Sequence, residues 1–177
     1  MSERGLIHIY YGDGKGKTTA ALGLALRAAG GGKQVVIVHF LKSWKCGERE
    51  SLSQLSNVSL LQGRLPYGKY VPDMTDEEKS ETKKVHDDNL RKAISFVEKR
   101  QCDILILDEV VDAYNLGVLD AELFNGLVYE KPDSLELVVT GHVPDKKLLE
   151  HADYVTEMIK HKHPYDKGIN ARQGIEY

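Results

Sequence analysis

Residues 12–19 read Gly-Asp-Gly-Lys-Gly-Lys-Thr-Thr, between the apolar run Leu6-Ile7-His8-Ile9-Tyr10-Tyr11 and an Ala/Leu-rich helical run from Thr18 to Gly30. Strand, glycine loop and helix in that order predict a triphosphate-binding P-loop. Glycines let successive backbone N–H groups turn onto phosphate oxygens, and the helix adds its positive N-terminal end. Lys17 is expected to reach the terminal phosphates and the Thr18 hydroxyl to bind Mg²⁺. The usual spacing places Gly five residues before Gly16. Tyr11 stands there instead, and Gly12 is one place late. A flexible turn beside a helix explains two glycines, but it does not demand Gly16-Lys17-Thr18-Thr19.

The rest of the chain alternates strand-like and helical patterns, which predicts an α/β fold: a P-loop NTPase-like three-layer arrangement with a mostly parallel, covered sheet of about five or six strands. Gln34 to Phe40 is β-branched and almost wholly apolar, as a strand covered on both faces should be. Gly30-Gly31-Gly32 before it ends the first helix. Val58 to Leu61 is a weaker strand candidate. Thr75-Asp76-Glu77-Glu78 reads as a capping box opening a helix to about Arg100, with Leu90, Ala93, Ile94 and Val97 as its core face and a solvated, charged first part. Strands are expected over Asp103–Leu107, Leu135–Thr140 and Tyr154–Ile159. A helix is expected from Glu109 to Leu116, and Pro144 is expected to open a short one through Leu148 and Leu149. Residues 161–177 show no period. They are read as an irregular tail packing near the active site of a single domain spanning residues 1–177.

Composition narrows the partners. Across 177 residues the net charge is −3 without a long basic block, which argues against duplex nucleic acid. Hydrophobic residues are 41% and charged residues 29%, an ordinary globular balance. Cys46 and Cys102 are far apart and form no CxxC, so a disulfide framework or zinc knuckle is not expected. No run has the length of a membrane span, and the first residues lack the apolar stretch of a signal peptide. The expected location is cytoplasmic.

Leu105-Ile106-Leu107-Asp108-Glu109 is an apolar strand ending in two acids. Facing a P-loop, a carboxylate there can hold Mg²⁺ directly or through water. The plainer alternative is that Asp108 caps the next helix. With a P-loop upstream, metal binding by at least one acid is the stronger reading, and the residues leave open which. Arg27, on an otherwise apolar helix, is a weak candidate for phosphate or ribose. His161 and His163 in coil make a poor metal site.

Phe40-Leu41-Lys42 follows the second strand, Thr140-Gly141-His142 ends the fifth, and the tail contains Pro164-Tyr165-Asp166-Lys167-Gly168-Ile169. Together and in order with the loop and Leu107-Asp108-Glu109, these pieces resemble the P-loop ATP:corrinoid adenosyltransferases from about Gly5 to Tyr177. The resemblance implies transfer of the 5′-deoxyadenosyl group of ATP to Co(I) of a reduced corrinoid, with triphosphate leaving. It implies Gly12, Asp13, Gly14, Lys15, Gly16, Lys17, Thr18, Thr19 and Arg27 as ATP contacts. Thr18 and Glu109 would be Mg²⁺ ligands, with Asp108 as a further candidate. Lys15, Lys17 and Glu109 would serve the chemistry. Phe40, Lys42, Tyr67 and Tyr70 are candidate corrinoid contacts. A reduced flavoprotein donor and a homodimer are also implied.

Three departures stand out. The segment Gly63 to Tyr70 lacks the aromatic pair some relatives carry, Asp13 stands where Asn is common, and only about ten residues precede the loop. The rival readings are a small-molecule or nucleoside kinase and an ATP-dependent switch or binding module. The arginines are scattered, without the cluster expected of a kinase lid.

Overall fold

The computed structural model describes residues 4–42, 47–62 and 69–176. Within them six parallel strands form one sheet in the order β3-β2-β4-β5-β1-β6. The strands are β1 (Ile7–Tyr11), β2 (Val35–His39), β3 (Val58–Leu61), β4 (Ile104–Asp108), β5 (Glu136–Gly141) and β6 (Tyr154–Glu157). β2 and β4 are buried at every residue, which explains their continuous apolar sequence.

Successive side chains on a strand face opposite sides of the sheet, and this divides the core in two. Val36, Val38, Leu105, Leu107, Leu137 and Val139 pack with the helices α3 (Asp76–Glu98), α4 (Val110–Asn115) and α5 (Ala121–Tyr129). Val35, Ile37, Ile104, Ile106 and Val138 face α1 (Lys17–Gly30). The buried residues of α1 are Ala21, Ala25 and Ala29. Their four-residue spacing gives one smooth stripe that lets the helix lie close to the sheet. The expected three-layer α/β architecture is therefore present.

Several local expectations shift. The capping box is formed, with Thr75 and Glu78 exchanging hydrogen bonds. Leu90, Ala93 and Val97 are buried as expected, and Ile94 is partly buried. α4 starts at Val110, because Glu109 sits in a left-handed conformation with φ 61°. α6 (Lys146–His151) is capped by Asp145, whose carboxylate accepts from the Leu148 amide, so Pro144 lies just outside it. β6 is an exposed edge strand that stops at Glu157. Two helices were not anticipated: α2 (Gly47–Leu52) and α5, the latter capped by Asp120. No described helix is long and apolar enough to cross a membrane.

Candidate nucleotide site

Parallel strands aim their C-terminal ends at one edge of the sheet, the usual location for a ligand. Here β1 runs into the loop, β4 ends in Asp108, and β5 ends beside both. A groove of about 980 Å³ opens at this edge. Its walls include Gly14 to Thr19, Leu22, Gly23 and Leu26 of α1, residues of α2, and Lys42, Glu109 and His142. Gly174, Ile175 and Glu176 of the tail complete the lining.

Two loop glycines are needed before any phosphate is considered. Gly12 and Gly16 have φ of 107° and 120°, which strongly favour glycine. The Gly14 amide donates to the Met158 carbonyl (2.7 Å), and a Cβ on Gly14 would lie 2.6 Å from that oxygen. The loop is thus pressed against the chain leaving β6. Lys17 Nζ donates to the carbonyls of Gly12 (2.7 Å) and Gly14 (3.0 Å), arching over the loop.

Opposite the loop, Asp108 is completely buried and its two oxygens are shared among four side chains. Thr18 Oγ1 (2.9 Å) and Thr140 Oγ1 (2.8 Å) donate to Oδ1. Lys42 Nζ (2.6 Å) and His39 Nδ1 (3.0 Å) donate to Oδ2. Burial opposes ionisation, but His39 and Lys42 more than offset it, and Asp108 stays well below the usual carboxylate range. His39 Nε2 is buried with no hydrogen-bond partner among the described residues. Thr140 Oγ1 also accepts from the Glu109 amide (2.8 Å), which fixes the turn that exposes Glu109.

Glu109 differs from its neighbour. Its side chain is 31% exposed, 3.8 Å from Lys42, and its pKa is pushed up to about 7. Desolvation is the main cause; Asp108 and Asp112 add to it, while Lys42 and Lys17 oppose it.

Lys42 is itself positioned. Leu41 adopts φ 57°, and its amide donates to His86 Nε2 (3.2 Å). His86 Nδ1 donates to the Val118 carbonyl (2.8 Å). Burial holds the His86 pKa down, in keeping with a neutral ring that donates at one nitrogen and accepts at the other.

The expected ATP set divides. Gly14, Lys15, Gly16, Lys17, Thr18 and Thr19 line the groove. Gly12 is buried behind it. Asp13 accepts from the Lys160 amide (3.0 Å) and so tethers the loop to the chain beyond β6. Arg27 is exposed in the last turn of α1, outside the lining and electrostatically coupled to Tyr10.

The corrinoid candidates divide as well. Phe40 is a core residue with no exposure, edge-on to His86, so its side chain has no surface to offer a corrinoid in this arrangement. Lys42 lines the groove but is committed to Asp108. Tyr70 is 80% exposed and outside the groove lining. Tyr67 lies outside the described residues.

The tail reaches the loop: Lys15 Nζ lies 3.4 Å from Glu176 Oε1. Glu176 also pairs with Arg172 (2.9 Å), and this pairing, with the Arg172 amide, draws its pKa down to about 2. No cluster of three or more metal-ligating side chains occurs among the described residues, the His161 and His163 region included.

Sequence reasoning missed His39, Thr140 and Asp112. Each is a single polar residue whose importance comes from contacts between elements distant in sequence. Thr140-Gly141-His142 was visible as a strand end, without a role.

A glycine loop facing a paired acidic strand end across one groove defines a P-loop nucleotide-binding α/β protein. The profile of the ATP:corrinoid adenosyltransferase BtuR/CobO/CobP family matches residues 3–177, and the chain belongs to that family. It is similar to the corrinoid adenosyltransferase of Escherichia coli (strain K12), with 32% identity over 184 residues, covering 100% of this chain and 88% of that one. Corrinoid adenosyltransferase CobA of Salmonella typhimurium (strain LT2) is 33% identical with the same coverage. A corrinoid adenosyltransferase from Sinorhizobium sp is 33% identical over 179 residues, covering 99% of this chain and 81% of that one.

Proposed function

We propose that the protein transfers the 5′-deoxyadenosyl group of ATP to the Co(I) centre of a reduced corrinoid. Family membership over nearly the whole chain carries this reading. In the step itself, the Co(I) electron pair forms the Co–C5′ bond, the C5′–O5′ bond breaks, and its electrons leave on triphosphate. Cobalt ends formally as Co(III).

This chemistry asks little proton transfer of the protein, because the nucleophile has no proton to lose. It needs alignment of cobalt with C5′ and stabilisation of a highly charged leaving group. The loop amides, Lys15 and Lys17 suit the second requirement. Lys17 would exchange the carbonyls of Gly12 and Gly14 for phosphate oxygens. Exposed apolar residues of α1 at the groove, such as Leu26, suit the organic part of a substrate.

The donor set also fits Mg²⁺, a hard cation that prefers oxygen and keeps several waters. Asp108 has no free oxygen, so Thr18 Oγ1 and the Glu109 carboxylate would hold the ion, with Asp108 orienting Thr18 from behind. Bound there, Mg²⁺ would supply positive charge to the phosphates. A reduced flavoprotein as electron donor, a homodimeric state and a cytoplasmic location complete the proposal; the family resemblance supports the first two.

The test is an anaerobic assay with ATP, Mg²⁺ and chemically reduced cob(I)alamin. The expected result is a light-sensitive alkylcobalamin spectrum with stoichiometric triphosphate, lost in Lys17→Ala. ADP formation with candidate acceptors and no adenosylation would instead point to a kinase.

A further inference from the structure

We propose that His142, oriented by Asp112, is a phosphate-contacting residue of the groove. The inference rests on the proposed function only in taking the groove as the seat of a triphosphate. β5 lies between β4, which ends in the acids, and β1, which runs into the P-loop. The residue that follows β5 therefore stands between the acids and the phosphate loop, and that residue is His142.

Its position is fixed from two sides. The His142 amide donates to Asp112 Oδ1 and Oδ2 (3.1 and 3.2 Å), and its carbonyl accepts from the Gly12 amide (3.1 Å). Its ring Nδ1 lies 3.0 Å from Asp112 Oδ2. Gly141 makes this approach possible, since a Cβ there would lie 2.5 Å from Val111 Cβ and 3.1 Å from the Asp112 carboxylate. The His142 side chain is nevertheless 57% exposed and lines the groove with Lys17, Thr18 and Glu109. It is a surface histidine with an assigned orientation.

Asp112 also sets the chemistry. An ionised carboxylate only accepts, so Nδ1 carries a proton and Nε2 is the nitrogen left for a ligand. A phosphate oxygen accepts too. A direct contact therefore has Nε2 as the donor to the phosphate oxygen. That contact would add a donor beside those of Lys17 and Lys15. Asp112 from α4 holds the ring, and Glu109 at the β4–α4 junction, Lys42 after β2, Glu48 of α2 and Glu176 of the tail line the same groove.

The experiment is calorimetric titration of the full chain with inorganic tripolyphosphate near pH 7. Wild type, His142→Gln, His142→Ala and Lys17→Ala are compared, and thermal unfolding confirms that each is folded. The expectation is about a tenfold loss of affinity in both His142 variants at an unchanged melting temperature, as for removal of one hydrogen bond to a charged group. Wild-type affinity in the His142 variants, with binding lost in Lys17→Ala, would overturn the proposal and leave the nucleotide site intact. Weaker binding matched by a lowered melting temperature in both His142 variants would overturn it too, because a merely structural role has that signature. Wild-type affinity in all three variants would remove the groove as a triphosphate seat and take the proposed function with it.

Discussion

Lys42 Nζ lies 2.6 Å from Asp108 Oδ2 and 3.8 Å from Glu109 Oε1, so one ammonium serves both acids at the end of β4. Asp108 has no exposure, and the His39 hydrogen bond together with the Lys42 charge keeps it ionised against burial. Lys42→Met should strand a buried carboxylate. Breaking one partner of a buried pair costs about 3–5 kcal/mol, and urea denaturation at pH 7 should show a loss at the lower end, since His39 and two threonines remain. The sign with pH follows from the depressed folded-state pKa. Stability from Asp108 is present above its unfolded value of about 3.9 and is lost as pH falls through the folded value. The gap between wild type and Lys42→Met should therefore narrow below about pH 4. An equal gap at pH 3 and pH 7 would contradict this account.

Glu109 has the opposite linkage. Its folded-state pKa, about 7, exceeds the ordinary carboxylate value of 4.5. Its contribution is fully present below the unfolded value and disappears as pH rises through about 7. Glu109→Gln should accordingly raise the melting temperature at pH 8 and leave it nearly unchanged at pH 4.5. The same variant should lose Mg²⁺-dependent ATP binding. A melting temperature that falls equally at both pH values would mean that the carboxylate is not the desolvated group described above.

The architecture was legible because its signals are local. β2 and β4 are apolar at nearly every position, and the loop carries its own grammar from Gly12 to Thr19. The site was only half legible. Two adjacent acids cannot be assigned from sequence, because a left-handed residue at Glu109 and a hydrogen bond from Thr140 turn one inward and the other outward. Phe40 was a corrinoid candidate through the resemblance carried by Phe40-Leu41-Lys42, but it belongs to the core against His86. Gly14 looked like a phosphate residue, and Asp13 like a nucleotide contact or the partner of a lysine. Contacts with Lys160 and Met158, about 145 residues further on, give both a structural duty. α5 was missed although Asp120 caps it and Leu123, Phe124, Leu127 and Val128 mark its apolar face.

That structural duty makes Gly14 unusually intolerant. A Cβ would sit 2.6 Å from Met158 O and 2.8 Å from its carbonyl carbon, both backbone atoms. Overpacking of this kind costs about 1–3 kcal/mol, and relief requires the loop to leave the end of β6. Gly14→Ala should therefore lower both stability and ATP affinity. Gly126→Ala in α5 supplies the contrast: nothing lies within 4 Å of a Cβ there, and the helix should gain about 0.5–1 kcal/mol. Thermal melts of the two variants should move in opposite directions.

Glu176 places a carboxylate against Lys15 at the groove wall, and Arg172 holds it in its ionised form. A negative group in a triphosphate groove repels the ligand, and it also occupies a lysine that the phosphates need. Glu176→Gln should therefore tighten ATP binding by a few-fold, an exposed-pair effect of modest size that fades as salt rises. Lys15→Ala should weaken binding, and Glu176→Gln added to Lys15→Ala should give less than its single effect, because part of the gain comes from releasing Lys15. Fluorescence or calorimetric titration at low and high salt distinguishes the cases. If Glu176→Gln weakens binding instead, the carboxylate contributes to holding the tail over the nucleotide, and its pairing with Arg172 outweighs its repulsion of phosphate.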